Sequence, residues 1–129
     1  EGEIHNIALW NQNKNIEFFE SSLGADSSII EPPSYTNKKI IKACRLDNFI
    51  NENVKLLKLE AEGAEPEILE GIGDKLHKIE YISADVGFER GLKCESTIPQ
   101  VSNYLINNGF EMTDFGFPRN CALFKRKKV

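Results

Sequence analysis

The sequence has few of the side chains from which metal centres and disulfide frameworks are built. Its 129 residues contain two histidines and three cysteines, and Cys44, Cys94 and Cys121 are widely spaced. A zinc site needs closely paired ligands and a disulfide framework needs an even set of cysteines, so neither is predicted. Three scattered cysteines are typical of reduced thiols, and we therefore expect a cytoplasmic protein.

Long hydrophobic runs and phosphate-binding motifs are also missing. No apolar run approaches the roughly 18 residues that a membrane-spanning helix requires. The sequence contains neither a P-loop nor a G-x-G-x-x-G motif. A net charge of −4 excludes a broad basic surface, so we expect no nucleic-acid or membrane partner. Only residues 125–128 form a basic run, which we interpret as the solvated end of the last strand.

The most informative stretch is residues 54–71, V-K-L-L-K-L-E-A-E-G-A-E-P-E-I-L-E-G. Its apolar first half predicts a strand, Gly63 predicts a tight turn, and Pro66 predicts the first turn of a helix. Three acids follow the strand: Glu60, Glu62 and Glu65. Because ligands of open α/β sheets bind outside the carboxyl ends of the strands, this corner is the predicted functional site.

The rest of the chain is predicted to surround this corner. Further strands are predicted at residues 4–10, 16–19, 39–45, 78–87, 110–114 and 120–125, the first two joined as a hairpin. Helices are predicted at residues 46–50, 65–71 and 97–108, the last with Thr97 as its N-cap and Gly109 as its stop. Alternating strands and helices indicate a parallel sheet, and the final strand pair indicates an antiparallel edge. The polar loop at residues 21–28 faces either a ligand or only solvent.

The acids around the central strand support two interpretations. Strand alternation places Glu60 and Glu62 on the same face, where burial and mutual repulsion should raise the pKa of at least one of them. Such a group can be the general base for a hydroxyl, or can bind a divalent cation through its oxygens. Glu65 and Glu67 are also explained as acids that complement the positive end of the helix dipole.

Asp85 repeats this arrangement at the end of the next strand. With Glu89 and Arg90 it is expected to form a polar rim beside the same crevice. The alternative is a structural acid–arginine pair. Arg119 and the two histidines are interpreted as solvated or packing residues.

Five separated blocks of the sequence together resemble one protein family. The stretch L-K-L-E-A-E-G-A-E at residues 57–65 is similar to the L-K-I-D-V-E-G-A-E motif of FkbM-type methyltransferases. Similar blocks occur at residues 7–10, 45–50, 81–91 and 107–111, in the family's order. The resemblance covers nearly all of the chain.

This resemblance implies a fold, a cofactor and an activity. Such enzymes resemble class I methyltransferases, with a seven-stranded doubly wound sheet that binds S-adenosylmethionine, and typically methylate a hydroxyl oxygen. The acceptor is expected to be a hydroxyl of a small molecule or glycan, and a divalent metal is compatible with the acids. The implied site residues are Glu60, Glu62 and Asp85 for catalysis, and Glu65, Glu89 and Arg90 for the acceptor. Glu60 replaces the usual aspartate and reaches one methylene further.

The resemblance is uneven along the chain. The family's glycine-rich first turn and the acidic residue ending its second strand, which hold the cofactor, have no counterpart in residues 1–129. We therefore expect one domain, residues 1–129, that is the C-terminal part of a longer methyltransferase-like fold. The predicted architecture is α/β, a partial doubly wound, Rossmann-like and mostly parallel sheet with an antiparallel C-terminal edge. Its unpaired sheet edge should promote homo-oligomers.

Two other functions remain open. The chain is a non-catalytic binding domain derived from the methyltransferase fold, or a metal-dependent hydrolase that uses the carboxylates. No histidines accompany the acids, which makes the hydrolase the weaker alternative. A glycine-rich strand–turn–helix directly upstream would favour the enzyme over the binding domain.

Overall fold

The computed structural model describes residues 2–22 and 25–128, which form a mixed α/β fold with two small sheets. The strands of the first sheet are β1 (Ala8–Leu9), β2 (Lys14–Glu20) and β3 (Asn37–Cys44), in the order β1-β3-β2. The strands of the second sheet are β4 (Val54–Leu59), β5 (Ile79–Asp85), β6 (Phe110–Gly116) and β7 (Cys121–Arg126), in the order β4-β5-β7-β6. The helices are α1 (Glu65–Glu70) and α2 (Ile98–Asn107), with short 3-10 turns at Leu46–Asn48 and Gly73–Lys78.

The parallel pair β4/β5 positions the functional corner. Leu59 at the end of β4 lies opposite Ala84, next to the end of β5. Because the two strands run in the same direction, both carboxyl ends open at one edge of the sheet. Helix α1 and the 3-10 turn that follows it carry the chain back between the two strands.

The core lies between the second sheet and the two helices. Val101 and Leu105, four residues apart on α2, are both fully buried, as the apolar period of this helix predicts. The Tyr104 hydroxyl donates a hydrogen bond to the Leu69 carbonyl at 3.2 Å and links α2 to α1. The remaining largest buried apolar side chains are Leu69, Ile72, Ile79, Ile82, Val86, Phe110 and Phe124. Each contributes about 1.5–3 kcal/mol by burial.

Both predicted ends of α2 are confirmed, although the capping hydrogen bond comes from a neighbouring residue. Gly109 follows the helix with a φ of +85°, the left-handed conformation expected of its stop. Thr97 was expected to cap the N-terminus, but its buried hydroxyl has no hydrogen-bond partner among the described residues. Thr97 occupies the N-cap position, and the capping hydrogen bond is made by the neighbouring Ser96, whose Oγ accepts the N–H of Ile98 at 3.1 Å and donates to the Val86 carbonyl at 2.7 Å.

The predicted mostly parallel, doubly wound sheet is not confirmed. In the described residues each sheet has one parallel pair, β1/β3 and β4/β5, and its other pairs are antiparallel. The predicted antiparallel C-terminal pair is present as β6/β7, which places Glu111 opposite Lys125. The sheets are therefore mixed, with the antiparallel strand β7 inserted between β5 and β6.

The predicted N-terminal hairpin is wrong, because β3 lies between β1 and β2. Ile16 of β2 pairs antiparallel with Ile41, while Ala8 of β1 pairs parallel with Ala43. β1 is only two residues long, so most of the predicted strand at residues 4–10 is irregular. The long loop after β2 therefore makes the hairpin, with β3 as its second strand.

Two further observations concern membrane-spanning helices and the cysteines. No helix of the described ranges is long and apolar enough to cross a membrane. Cys44, Cys94 and Cys121 are free thiols.

Candidate active site

The chain turns sharply between β4 and α1, in a segment that we call the Glu62 turn (residues 60–64). Glu62 has a φ of +48° and Gly63 a φ of +97°, so two successive residues adopt the left-handed region. A non-glycine residue in this region is uncommon and is concentrated at functional sites. Successive residues in such a turn conformation point their backbone N–H groups into a shared concavity, which can bind an anion.

The anion in this concavity is the protein's own Glu65. Its Oε1 accepts the N–H groups of Ala61 at 2.8 Å and of Gly63 at 3.3 Å. Glu65 is only 2% exposed, and its Oε2 is buried without a hydrogen-bond partner among the described residues. Burial raises the pKa of Glu65, and the two backbone hydrogen bonds oppose this rise. Glu65, which was predicted to bind substrate, thus stabilises the Glu62 turn by accepting hydrogen bonds from its backbone.

Arg90, also predicted to bind substrate, holds the turn from the other side. Its guanidinium makes a bidentate pair with Glu67, with Nη1–Oε2 at 2.9 Å and Nη2–Oε1 at 2.6 Å. Nη1 also donates to the Gly63 carbonyl. These contacts realise the structural acid–arginine pair that was the alternative interpretation. The guanidinium is partly buried, and its contacts are with Glu67 and the Gly63 carbonyl.

Gly63 is required where Arg90 crosses the turn. A Cβ on Gly63 would lie 2.6 Å from the Arg90 Cα, well inside van der Waals contact. Together with the positive φ, this close approach leaves room only for glycine.

Glu60 and Glu62 lie in different environments, although both border a cavity of about 350 Å³ beside β1. Glu60 is exposed and pairs with Lys58 at 2.8 Å, which lowers its pKa. Glu62 is half-buried, and burial followed by the charge of Glu89 raises its pKa to about 7. The predicted raised pKa is confirmed for Glu62. The carboxylate that contributes most to this rise is Glu89. Strand alternation does not relate Glu62 to Glu60, since β4 ends at Leu59.

A second cavity, of about 360 Å³, lies between the Glu62 turn and the loop at residues 21–34, and we call it the acidic cavity. The Ser28 hydroxyl joins the two segments, donating to the Glu62 carbonyl at 2.8 Å and accepting the Ile30 N–H at 3.0 Å. The cavity is lined by Ser21, Ser22, Asp26, Ser28, Pro32, Pro33, Ser34, Glu62, Glu89 and Cys94. Residues of this loop therefore line a cavity, and its contact with a ligand stays a prediction.

Glu89 and Asp85 complete the negative charge of this corner. Partial burial, followed by the charge of Asp85, raises the pKa of Glu89, which lines the acidic cavity. Asp85 ends β5, and its Oδ1 accepts the Gly87 N–H at 3.0 Å. Its carboxylate also contributes to the raised pKa of Glu62. Asp85 is thus an electrostatic neighbour of the cavity, and Glu62 and Glu89 are the predicted residues that line it.

The divalent metal that the acids suggested has no evident ligand set. Among the described residues, no three acidic, histidine or cysteine side chains lie close enough together to hold a metal ion. The carboxylates of this corner are divided between ion pairs, backbone hydrogen bonds and the cavity wall.

Sequence analysis missed the individual residues of the loop that line the cavity, above all Ser28 and Asp26. The available signal was the polar composition of residues 21–28, which does not distinguish a ligand-facing loop from surface. Ser28 is buried and contacts a residue 34 positions later in the chain, a contact that only the fold creates.

The fold and the corner together describe an α/β domain with acids at the carboxyl ends of two adjacent parallel strands. The family model of the methyltransferase FkbM domain matches residues 2–112, from before β1 to within β6. The chain therefore belongs to the FkbM methyltransferase family, which confirms the resemblance described above. No curated protein and no solved structure matches the chain at a significant level.

Proposed function

We propose that this chain supplies the acceptor side of an O-methyltransferase active site, with S-adenosylmethionine as the methyl donor. The observation that carries the proposal is the Glu62 carboxylate, which lines a cavity and has a pKa raised to about 7. A general base works best when its pKa lies near the operating pH. Glu62 therefore has the properties needed to remove a proton from an acceptor hydroxyl.

The lining of the acidic cavity favours a neutral, hydroxyl-rich acceptor. Its carboxylates accept hydrogen bonds from hydroxyls, and its serines both donate and accept them. A volume of about 360 Å³ is within the usual range for small-molecule sites and suits one sugar-sized ring. In this role Glu62 takes the proton of the reacting hydroxyl, and Glu89 orients a neighbouring hydroxyl.

The residues present do not fit a cradle for the cofactor. The glycines that follow β4 and β5 are Gly63 and Gly87. At both positions, other atoms of the chain occupy the space beside the glycine. A Cβ on Gly63 would meet the Arg90 backbone, and a Cβ on Gly87 would meet the Glu89 carboxylate at 2.5 Å. We therefore propose that residues outside 1–129 hold S-adenosylmethionine.

The open edge of β4 is where we propose that the remainder of the sheet is added. In the described residues β4 pairs only with β5, and its Leu56 is 54% exposed. An unpaired strand edge with exposed apolar side chains recruits another strand. Further strands of the same protein would complete a doubly wound, Rossmann-like sheet. A second copy of the chain, giving a homo-oligomer, is the alternative occupant.

The two other functions have less support. A non-catalytic domain is less well supported, because the Glu62 carboxylate, unlike the structural Glu65, lines a cavity and has a pKa raised to about 7. A metal-dependent hydrolase needs a ligand cluster, which the described residues do not provide.

The full-length protein is expected to transfer the labelled methyl group of S-adenosylmethionine to neutral polyhydroxylated acceptors. The measurement is incorporation of radioactivity from the methyl-labelled donor across a panel of glycans, hydroxylated small molecules, amines and carboxylic acids. Incorporation into hydroxyl acceptors supports the proposal. Transfer confined to amines or carboxylates would contradict it.

Residues 1–129 alone are expected to give no heat of binding with S-adenosylmethionine or S-adenosylhomocysteine. The reason is that both glycines at the strand ends are occupied by the chain's own atoms. Isothermal titration calorimetry of the isolated chain and of the full-length protein makes the comparison. Micromolar binding by the isolated chain would show that its own residues, or a second copy, complete the cofactor site.

A further inference from the structure

A hollow of about 660 Å³ lies at the opposite end of the second sheet from the Glu62 turn. It is bounded by the amino ends of β4 and β5 and by the carboxyl end of β7. We call it the basic hollow, because its charged lining consists of Lys55, Lys78, Lys125, Arg126, Lys127 and Lys128 with a single acid, Glu80. The basic run at residues 125–128 lines this hollow, and its Lys127 and Lys128 are exposed beyond the end of β7.

Little of this positive charge is neutralised within the protein. Glu80 pairs with Lys55 at 2.7 Å. Lys78 donates to the Asn51 carbonyl at 2.8 Å, a neutral acceptor. Glu111 faces Lys125 across the strands, but no ion pair within 4 Å joins them in the described residues. The other cations of the hollow therefore have their charge available to a ligand.

Arg126 is the fixed cation of the hollow. Its Nε donates to the Ile79 carbonyl at 2.9 Å and its Nη2 donates to the Leu76 carbonyl. The guanidinium also lies over the Phe110 ring, 4.7 Å from its centroid. Burial lowers the pKa of Arg126, and no carboxylate pairs with it in the part of the chain that the structure describes. The Nη1 group is not used by these contacts, and a rigid guanidinium is suited to phosphate.

We propose that the basic hollow binds a small, soluble phosphorylated ligand. The charge of the lining is complementary to such a ligand, since several lysine ammonium groups surround one immobilised guanidinium. The hollow is concave and local, and the rest of the protein brings the net charge to −4. A long nucleic acid or a flat anionic membrane would meet that repulsive surface, whereas a small phosphorylated ligand would not.

The proposal is tested on the full-length protein with inorganic pyrophosphate as the probe, by calorimetry at about 50 and about 150 mM salt. The wild-type protein is expected to bind, more weakly at the higher salt. The triple variant Lys125→Gln/Lys127→Gln/Lys128→Gln should bind about 10- to 100-fold more weakly, because three charged contacts are lost. Lys78→Gln, from a different part of the chain, should weaken binding several-fold.

A charge-matched control separates the hollow from general attraction. The triple variant Lys14→Gln/Lys42→Gln/Lys93→Gln removes the same charge from exposed positions outside the hollow and should bind pyrophosphate within about twofold of wild type. Equal weakening in both triple variants, or no effect of Lys78→Gln, would overturn the proposal. So would binding to vesicles of phosphatidylserine and phosphatidylcholine in the absence of pyrophosphate binding.

Discussion

Replacing Glu62 with glutamine in the full-length protein is expected to lower kcat by about 10²- to 10⁴-fold, the usual contribution of a general base. Glutamine keeps the size of the side chain and can still form hydrogen bonds, but it cannot take up the proton of the acceptor hydroxyl. The affinity for S-adenosylmethionine should change by less than about twofold, because Glu62 acts on the acceptor. Steady-state kinetics and calorimetry on the same preparation measure both quantities.

The pH profile and a neighbouring acid provide the controls. Only the ionised carboxylate is a base, so wild-type kcat/KM, which reports the free enzyme, should rise with pH through about 7, the pKa of Glu62. The residual rate of Glu62→Gln should lack this step. Glu60→Gln removes a carboxylate that is exposed and paired with Lys58, and should change kcat little. A Glu62 variant with wild-type turnover, or a larger loss in Glu60→Gln, would contradict the assignment.

The second large effect is on stability. Gly63→Ala is expected to lower the free energy of unfolding by about 2–4 kcal/mol, since the new Cβ meets the Arg90 backbone and the φ of +97° strains any other residue. The Arg90–Glu67 pair would have to shift as the contact is relieved. Urea unfolding of the full-length protein measures the loss of stability.

Gly109→Ala is the matched control for this substitution. Gly109 has a similar φ of +85°, but nothing lies within 4 Å of the Cβ that would be added. This variant should lose only the cost of the backbone conformation, about 1 kcal/mol. Equal losses in the two variants would mean that the Arg90 contact adds nothing and that conformational strain explains both.

Most individual elements of the fold were predictable from the sequence, but their partners were not. Apolar periodicity and the residues at helix ends are local signals, and they located β3, β4, α1, α2 and the β6/β7 pair within a few residues. Strand pairing depends on contacts between distant segments. The two-residue strand β1 therefore joins the edge of β3 instead of the strand that follows it in the chain.

The sequence correctly predicted acids at the carboxyl ends of β4 and β5. It did not predict the directions in which their side chains point. Strand alternation stops at Leu59, and the left-handed residues Glu62 and Gly63 then redirect the chain. This turn places Glu65 inside the protein and leaves Glu62 at the cavity. The pairing of Arg90 with Glu67 joins segments 23 residues apart, and sequence reasoning identified it only as one of two alternatives.

The two ends of the second sheet carry opposite charge, so the protein is an electric dipole along its strands. The net charge of −4 does not show this separation of charge, because the negative charges of the acids at one end and the positive charges of the lysines at the other largely cancel in the total. In the field of a charged partner the molecule will rotate before it makes contact, and this orientation weakens as salt is added. Toward a small phosphorylated ligand, it would turn the basic hollow and leave the Glu62 end open to solvent.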